Sequence, residues 1–273
     1  MDLILNIVAG IIVLIIGAVI GKQIERCVKY FVGWRAFARA LSFNTNKEII
    51  YAYGSIPPGE KDNKVIVQQG DVYALLVGFQ TINTLFDSEK ILIQDGGTLG
   101  ANISLHPNVL SISGPKWNPG TRHLLGKIGA PIKFIKDPKG ILVYPSQSQG
   151  KERVFEIERE AGQLVKVCYG VIFNGSIRNT SGTEQHVLIC CGVTTVSTSA
   201  CLLYLSSLFK SKDEFKDLKH KGLLKENKWG LLLRVENHTK QDSINDPLQE
   251  INVNSFVEKV FYEKDFLTPY VYE

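Results

Sequence analysis

The amino-acid sequence predicts an α/β protein in two parts. An N-terminal transmembrane helix leads into a soluble domain with a mostly parallel sheet, helices on its faces and an antiparallel β insertion. Three observations carry this expectation. Residues 3–20, LILNIVAGIIVLIIGAVI, are apolar except for Asn6. Beyond residue 46, short apolar runs end in glycine-containing turns and lead into longer stretches that open with helix-capping residues. Between about residues 131 and 178 the pattern changes to alternating apolar and polar residues, as in antiparallel hairpins.

The apolar run comes first. At about 1.5 Å per residue it spans roughly 27 Å, close to the hydrocarbon thickness of a bilayer. Lipid offers no partner to a free backbone amide, so the span is expected to be helical. A cleaved signal peptide fits worse, because the run is preceded by Met1-Asp2 and followed by GKQIERCVKYF, with no small-residue cleavage site. We therefore assign residues 1–21 to a transmembrane helix and residues 22–45 to a basic juxtamembrane helix carrying Lys22, Arg26, Lys29, Arg35 and Arg39. The positive-inside rule places the N-terminus outside and the domain of residues 46–273 in the cytoplasm, as a single-pass protein of the cell membrane. Gly10, Gly17 and Gly21 share one helical stripe with Asn6, and small residues at that spacing let two helices self-associate in the bilayer. A reporter fused after Glu273 is expected to be active only on the cytoplasmic side; labelling from outside the cell would reverse the topology.

Within the domain, residues 48–53 (EIIYAY) read as a strand closed at Gly54-Ser55, and Asp71 as the N-cap of a helix running to about residue 86. Residues 90–94 read as a second strand, followed by the glycine-rich loop 95–100. Residues 108–113 form a third strand, which turns at Gly114-Pro115 into a helix over 119–128 with Asn118 as cap and Pro119 at its first position. The β insertion follows. Residues 186–191 form a further strand, Gly192 a turn, and the stretch from Thr194 a helix. Residues 229–235 and 251–262 read as the last strands.

Composition narrows the function classes. The chain has 273 residues, 44% hydrophobic and 21% charged, with a formal net charge of +4. That is globular rather than disordered composition. With five of the cations beside the apolar run, the domain is nearly neutral, which argues against nucleic-acid binding. Five cysteines, at 27, 168, 190, 191 and 201, form no C-x-x-C pair and suit a reducing compartment. Cys190 and Cys191 sit side by side in a strand and point to opposite faces, so they do not make a metal site together. No P-loop, G-x-S-x-G or H-E-x-x-H motif occurs, and nothing calls for a metal or a cofactor.

Two loops carry the candidate chemistry. In the first, Gly114, Lys116, Asn118 and Arg122 surround a helix start at a strand's carboxyl end, a combination that suits a phosphate or carboxylate. In the second, Gly192, Thr194, Thr195, Ser197 and Thr198 offer hydroxyls either to the helix start or to a ligand's phosphate or ribose. Gly54 and Ser55 lie at the end of the first strand. For acid–base chemistry the candidates are Asp71, Asp95 and His123.

The series G-D-x-x-A-L (Gly70 to Leu75), S-G-P-x-x-N-x-x-T (Ser113 to Thr121), Y-G-V-I (Tyr169 to Ile172) and G-x-x-x-x-S-T-x-A (Gly192, Ser197, Thr198, Ala200) resembles a group of bacterial Rossmann-like domains without assigned activity. Where that group has a glycine before the threonine, this chain has Ser197. In architecture, a single membrane helix joined to such a domain is similar to nucleotide-sensing effectors of bacterial defence systems. The resemblance implies a sensor of a nucleotide-like or other anionic ligand, bound at the carboxyl edge of the sheet. A membrane-tethered enzyme acting on a nucleotide or glycosyl bond and a structural docking scaffold are the alternatives.

Overall fold

The computed structural model describes residues 41, 43–55, 69–83, 85–86, 88–135, 140–144, 152–160, 165–178, 182–210, 221–238 and 253–267. The apolar run of residues 3–20, the Gly10, Gly17 and Gly21 stripe and the basic cluster from Lys22 to Arg39 lie outside the described residues. Among those described, no helix is long and apolar enough to cross a membrane.

The domain is a mixed α/β fold around an eight-stranded sheet. Four strands run parallel: β1 (Ile49–Tyr53), β2 (Ile91–Asp95), β3 (Asn108–Ile112) and β9 (Glu184–Gly192). They are joined edge to edge to an antiparallel half made of β8 (Val165–Arg178), β10 (Trp229–Asn237) and β11 (Val253–Phe261), in the order β11-β10-β8-β9-β3-β1-β2, with β7 (Glu158–Arg159) paired to β8. β1 and β3 are buried almost throughout, as short apolar strands covered on both faces must be.

Each face of the sheet has its own core. On one face lie α1 (Gln69–Ile82) and α4 (Thr195–Lys210), whose Ala74, Ala200 and Leu202 pack with Tyr51, Leu110, Cys190 and Leu231. On the other face, α3 (Pro119–Ile128) packs its Leu124 and Leu125 against Val109, Ile189 and Val171. A small antiparallel sheet of β4 (Ile132–Phe134), β5 (Gly140–Val143) and β6 (Arg153–Glu156) joins the core on that face through Ile141 and Phe155. Cys190 and Cys191 fall in opposite cores, as the strand period requires.

Several expectations are corrected. The β insertion is shorter than residues 131–178: only β4 to β6 form a separate sheet. β8 is a central strand of the main sheet, so its burial is nearly continuous rather than alternating. The helix expected to start after an Asp71 cap starts at Gln69, which makes Asp71 the third residue of α1. The loop at residues 95–100 contains a short helix, α2 (Gly96–Leu99), capped by Asp95, with a 3-10 segment (Gly100–Leu105) behind it. Leu41 and Phe43, expected in the juxtamembrane helix, belong to the domain's core, in a turn and in a stretch without regular secondary structure.

Candidate functional site at the carboxyl edge of the sheet

The order of the strands creates the site. From β1 the chain passes through α1 to β2 on one side. It then returns past β1 to β3 on the other side. The order reverses between β1 and β3, and in open α/β sheets ligands bind outside the carboxyl ends of the strands at such a reversal. Gly54, Ser55, Asp95 and the loop from Ser113 to Asn118 converge there.

Ser113 closes β3 with φ at 76°, and it is the only non-glycine residue with positive φ among the described residues. Such a conformation is costly for a residue with a Cβ and persists only where the surroundings impose it. Here Gly54 N–H donates to the Ser113 Oγ at 3.1 Å, and a Cβ on Gly54 would stand 2.8 Å from the Ser113 Cβ. The two strand ends are thereby pressed together. Beyond them the loop turns back, with Trp117 N–H and Asn118 N–H both donating to the Gly114 carbonyl at 3.0 Å.

Asn118 is fully buried. Its Oδ1 accepts from Thr121 N–H at 3.1 Å, the expected cap. Its Nδ2 donates inward, to the Ile112 carbonyl at 2.7 Å and to the Ser111 Oγ at 3.3 Å. Ser111 and Thr121 hydroxyls meet at 2.7 Å. The Asn118 side chain thus ties β3 to α3, and its hydrogen-bonding groups are turned away from solvent. Gly96 also packs against it, with no room for a Cβ.

The cations of the same loop stand at the surface. Lys116 is exposed, with its Nζ 4.7 Å from the centre of the half-buried Trp117 ring. Arg122 is exposed, and its Nε donates to the Pro115 carbonyl at 3.4 Å. A cation over an indole face is a modest attraction that leaves the charge accessible. Sequence reading missed Trp117 and Ser113. The Trp sits inside the motif, but its value depends on which way the loop folds.

The hydroxyl loop after β9 is satisfied internally. Thr194 Oγ1 accepts from Ser197 N–H at 3.1 Å, while Thr194 N–H donates to Ser197 Oγ at 3.0 Å, a reciprocal cap of α4. Thr198 Oγ1 donates to the Thr194 carbonyl at 3.3 Å. Ser197 and Thr198 are buried, and Thr195 is the half-buried first residue of the helix. The absence of a Cβ on Gly192 is what lets the Ser197 hydroxyl sit against the strand end, and a Cβ on Gly114 would stand 2.9 Å from the Gly192 carbonyl oxygen. The ends of β3 and β9 therefore touch. Cys168, beneath them, has its thiol pushed up in pKa by burial, an effect the Thr194 and Ser197 hydroxyls partly offset.

Asp95 and His123 are held by different partners. Asp95 accepts from Ser55 Oγ at 3.0 Å and Gly97 N–H at 3.1 Å on one oxygen, and from Thr98 Oγ1 at 3.1 Å on the other. His123 meets Ser104 Oγ at 2.9 Å through Nε2, which turns it toward the 3-10 segment and not toward the strand ends. Burial, and then the nearby Lys127, hold its pKa below the ordinary histidine value. Asp71 lies in the first turn of α1. Among the described residues no group of three His, Cys, Asp or Glu side chains converges as metal ligands would. Comparison of the chain with protein-family models, curated proteins and solved structures finds no match in any of the three.

Proposed function

We propose that this is a membrane-anchored cytoplasmic sensor whose α/β domain takes a nucleotide-like or other anionic ligand at the carboxyl edge of its sheet, over the loop from Ser113 to Arg122. The observation that carries the reading is the reversal of strand order between β1 and β3, with the strained Ser113 at its edge. Lys116 and Arg122 supply accessible positive charge beside it, and Trp117 a flat apolar surface. The engaged oxygens of Asp95 and the direction of His123 favour a binding protein over an enzyme. In this reading the hydroxyls at Thr194, Ser197 and Thr198 shape the edge by fixing α4.

The test is thermal melting of the purified protein with a panel of nucleotides. A ligand present at about 100 times its dissociation constant stabilises the wild type by about 2.7 kcal/mol. In Lys116→Ala combined with Arg122→Ala the response is expected to vanish while the ligand-free melt barely moves, because exposed cations contribute little to stability. A full response in the double variant would move the site elsewhere. No response to any nucleotide in the wild type would leave the domain as a docking scaffold.

A further inference from the structure

The chain enters the domain beneath the opposite, amino edge of the sheet, and there two buried asparagines fasten it, while Lys90 Nζ donates to the Thr45 carbonyl at 3.4 Å. Asn108, fully buried at the start of β3, accepts from Asn44 N–H at 2.9 Å and donates to the Asn44 carbonyl at 2.9 Å and the Glu48 carbonyl at 3.0 Å. Asn174 of β8, in the orientation of its amide that satisfies both partners, donates to the Leu41 carbonyl at 3.0 Å and accepts from Trp229 Nε1 at 3.1 Å. Phe43, between the two fastenings, is buried and meets Phe86 edge to face at 5.7 Å.

The register says what lies under this segment. Asn108 is level with His186 of β9, and Asn174 is level with Leu188. Asn108, His186 and Leu188 all face the same core as α1 and α4, by the two-residue period that puts Leu110, Leu188 and Cys190 there. A chain held by Asn174 on β8 and by Asn108 on β3 must cross β9, which lies between them, at the level of His186 and Leu188. His186 Nδ1 is shut off from solvent and meets no hydrogen-bond partner. Of the charged groups, Glu184 on its own strand acts on it, with Arg178 of β8 level with Glu184; the segment above carries Glu48, which acts on His106, and its Thr45 carbonyl accepts from Lys90 Nζ at 3.4 Å.

We propose that His186 is a proton-sensitive latch: uncharged, it lets Leu41 and residues 43–48 lie closed over β9, and protonated, it releases the segment through which residues 1–40 join the domain. His186 as a whole is half-buried, but a proton on Nδ1 would place a donor without an acceptor at the shut-off side of the ring, and an unpaired buried donor is disfavoured. Burial holds the His186 pKa below its ordinary value, and Glu184 opposes this only in part. The sign follows. The opened segment leaves His186 with a pKa near 6.5, above its value in the closed state. Closure is therefore at full strength above about pH 6.5 and weakens as the pH falls below it. The inference does not rest on a ligand at the opposite edge.

Hydrogen exchange of the full-length protein reads the segment directly, after correction for the intrinsic effect of pH on exchange. In the wild type the opening of residues 43–48 should increase between roughly pH 7.5 and pH 5.5, by at most about tenfold, the ceiling for one site with an open-state pKa near 6.5. His186→Leu should abolish that increase and keep the segment closed at both values. His186→Gln, which keeps a polar side chain and does not titrate, serves should the leucine variant fail to fold. His106→Gln should behave as the wild type does. Equal protection at both pH values in the wild type would overturn the latch. So would an unchanged acid response in the His186 variants.

Discussion

Asn118→Ala is expected to destabilise the domain by about 2–4 kcal/mol, more than the ~1 kcal/mol of a lost helix cap alone. The difference comes from Nδ2. With the amide gone, the buried Ile112 carbonyl loses a 2.7 Å hydrogen bond at the point where β3 meets α3. For a domain of this size the melting temperature should fall by roughly 5–12 °C. Asn118→Asp separates the two roles. Aspartate caps a helix as well as asparagine does, so a residue that only capped would tolerate it. Here the second carboxylate oxygen would face the Ile112 carbonyl with no proton to give, and the loss should match or exceed that of the alanine variant. An aspartate variant as stable as the wild type would show that the inward hydrogen bonds contribute nothing.

The other large effect is expected at Gly129. It ends α3 in the left-handed region, with φ at 71°, and its N–H donates to the Gly126 carbonyl at 3.1 Å. A Cβ there would overlap the Leu267 carbonyl oxygen, because the segment after β11 folds back so that Leu267 N–H donates to the Gly129 carbonyl at 2.8 Å. Gly129→Ala therefore carries two costs: about 1–2 kcal/mol for the left-handed conformation and about 1–3 kcal/mol for overpacking against a backbone atom. Gly222, with φ at 76° and open space around it, carries only the first. Denaturant melts of the two alanine variants should differ by at least ~1 kcal/mol, with Gly129→Ala the less stable. Equal losses would mean that the Leu267 segment moves aside freely.

Much of the parallel half of the sheet was legible in the sequence because its signals are local. The run IIYAY before Gly54, the run NVLSI before Gly114 and the pair Asn118-Pro119 each state a strand end or a helix start without reference to the rest of the chain. Where the signal depended on neighbours, the reading slipped. Val165 to Arg178 contains Lys166 between two valines and looked half-buried, yet most of β8 is covered on both faces because β9 and β10 flank it and cores close over it. Asp71 looked like a cap, since a carboxylate is equally welcome at the cap and within the first turn, and spacing alone does not distinguish the two. The start of the domain was placed at residue 46, because nothing in the sequence around Leu41 announces that an asparagine far along the chain, at position 174, will hold its carbonyl.

By itself the sequence determined the α/β class, the order of most elements, the apolar run of residues 3–20 and the residue types gathered at the carboxyl edge. Only the tertiary structure decided what those residues do there. The hydroxyls of Thr194 and Ser197 and the amide of Asn118 carry the same donors and acceptors whether they meet a ligand or a helix start. They meet the helix starts and the end of β3, because those groups lie within 3.3 Å once the strands are paired. Lys116 and Arg122 remain at the surface because guanidinium and ammonium groups are too costly to bury without a counter-charge, and no carboxylate among the described residues forms an ion pair with them. Ser113, with its left-handed backbone, accepts from Gly54 N–H, a contact across 59 residues of chain that no local pattern encodes.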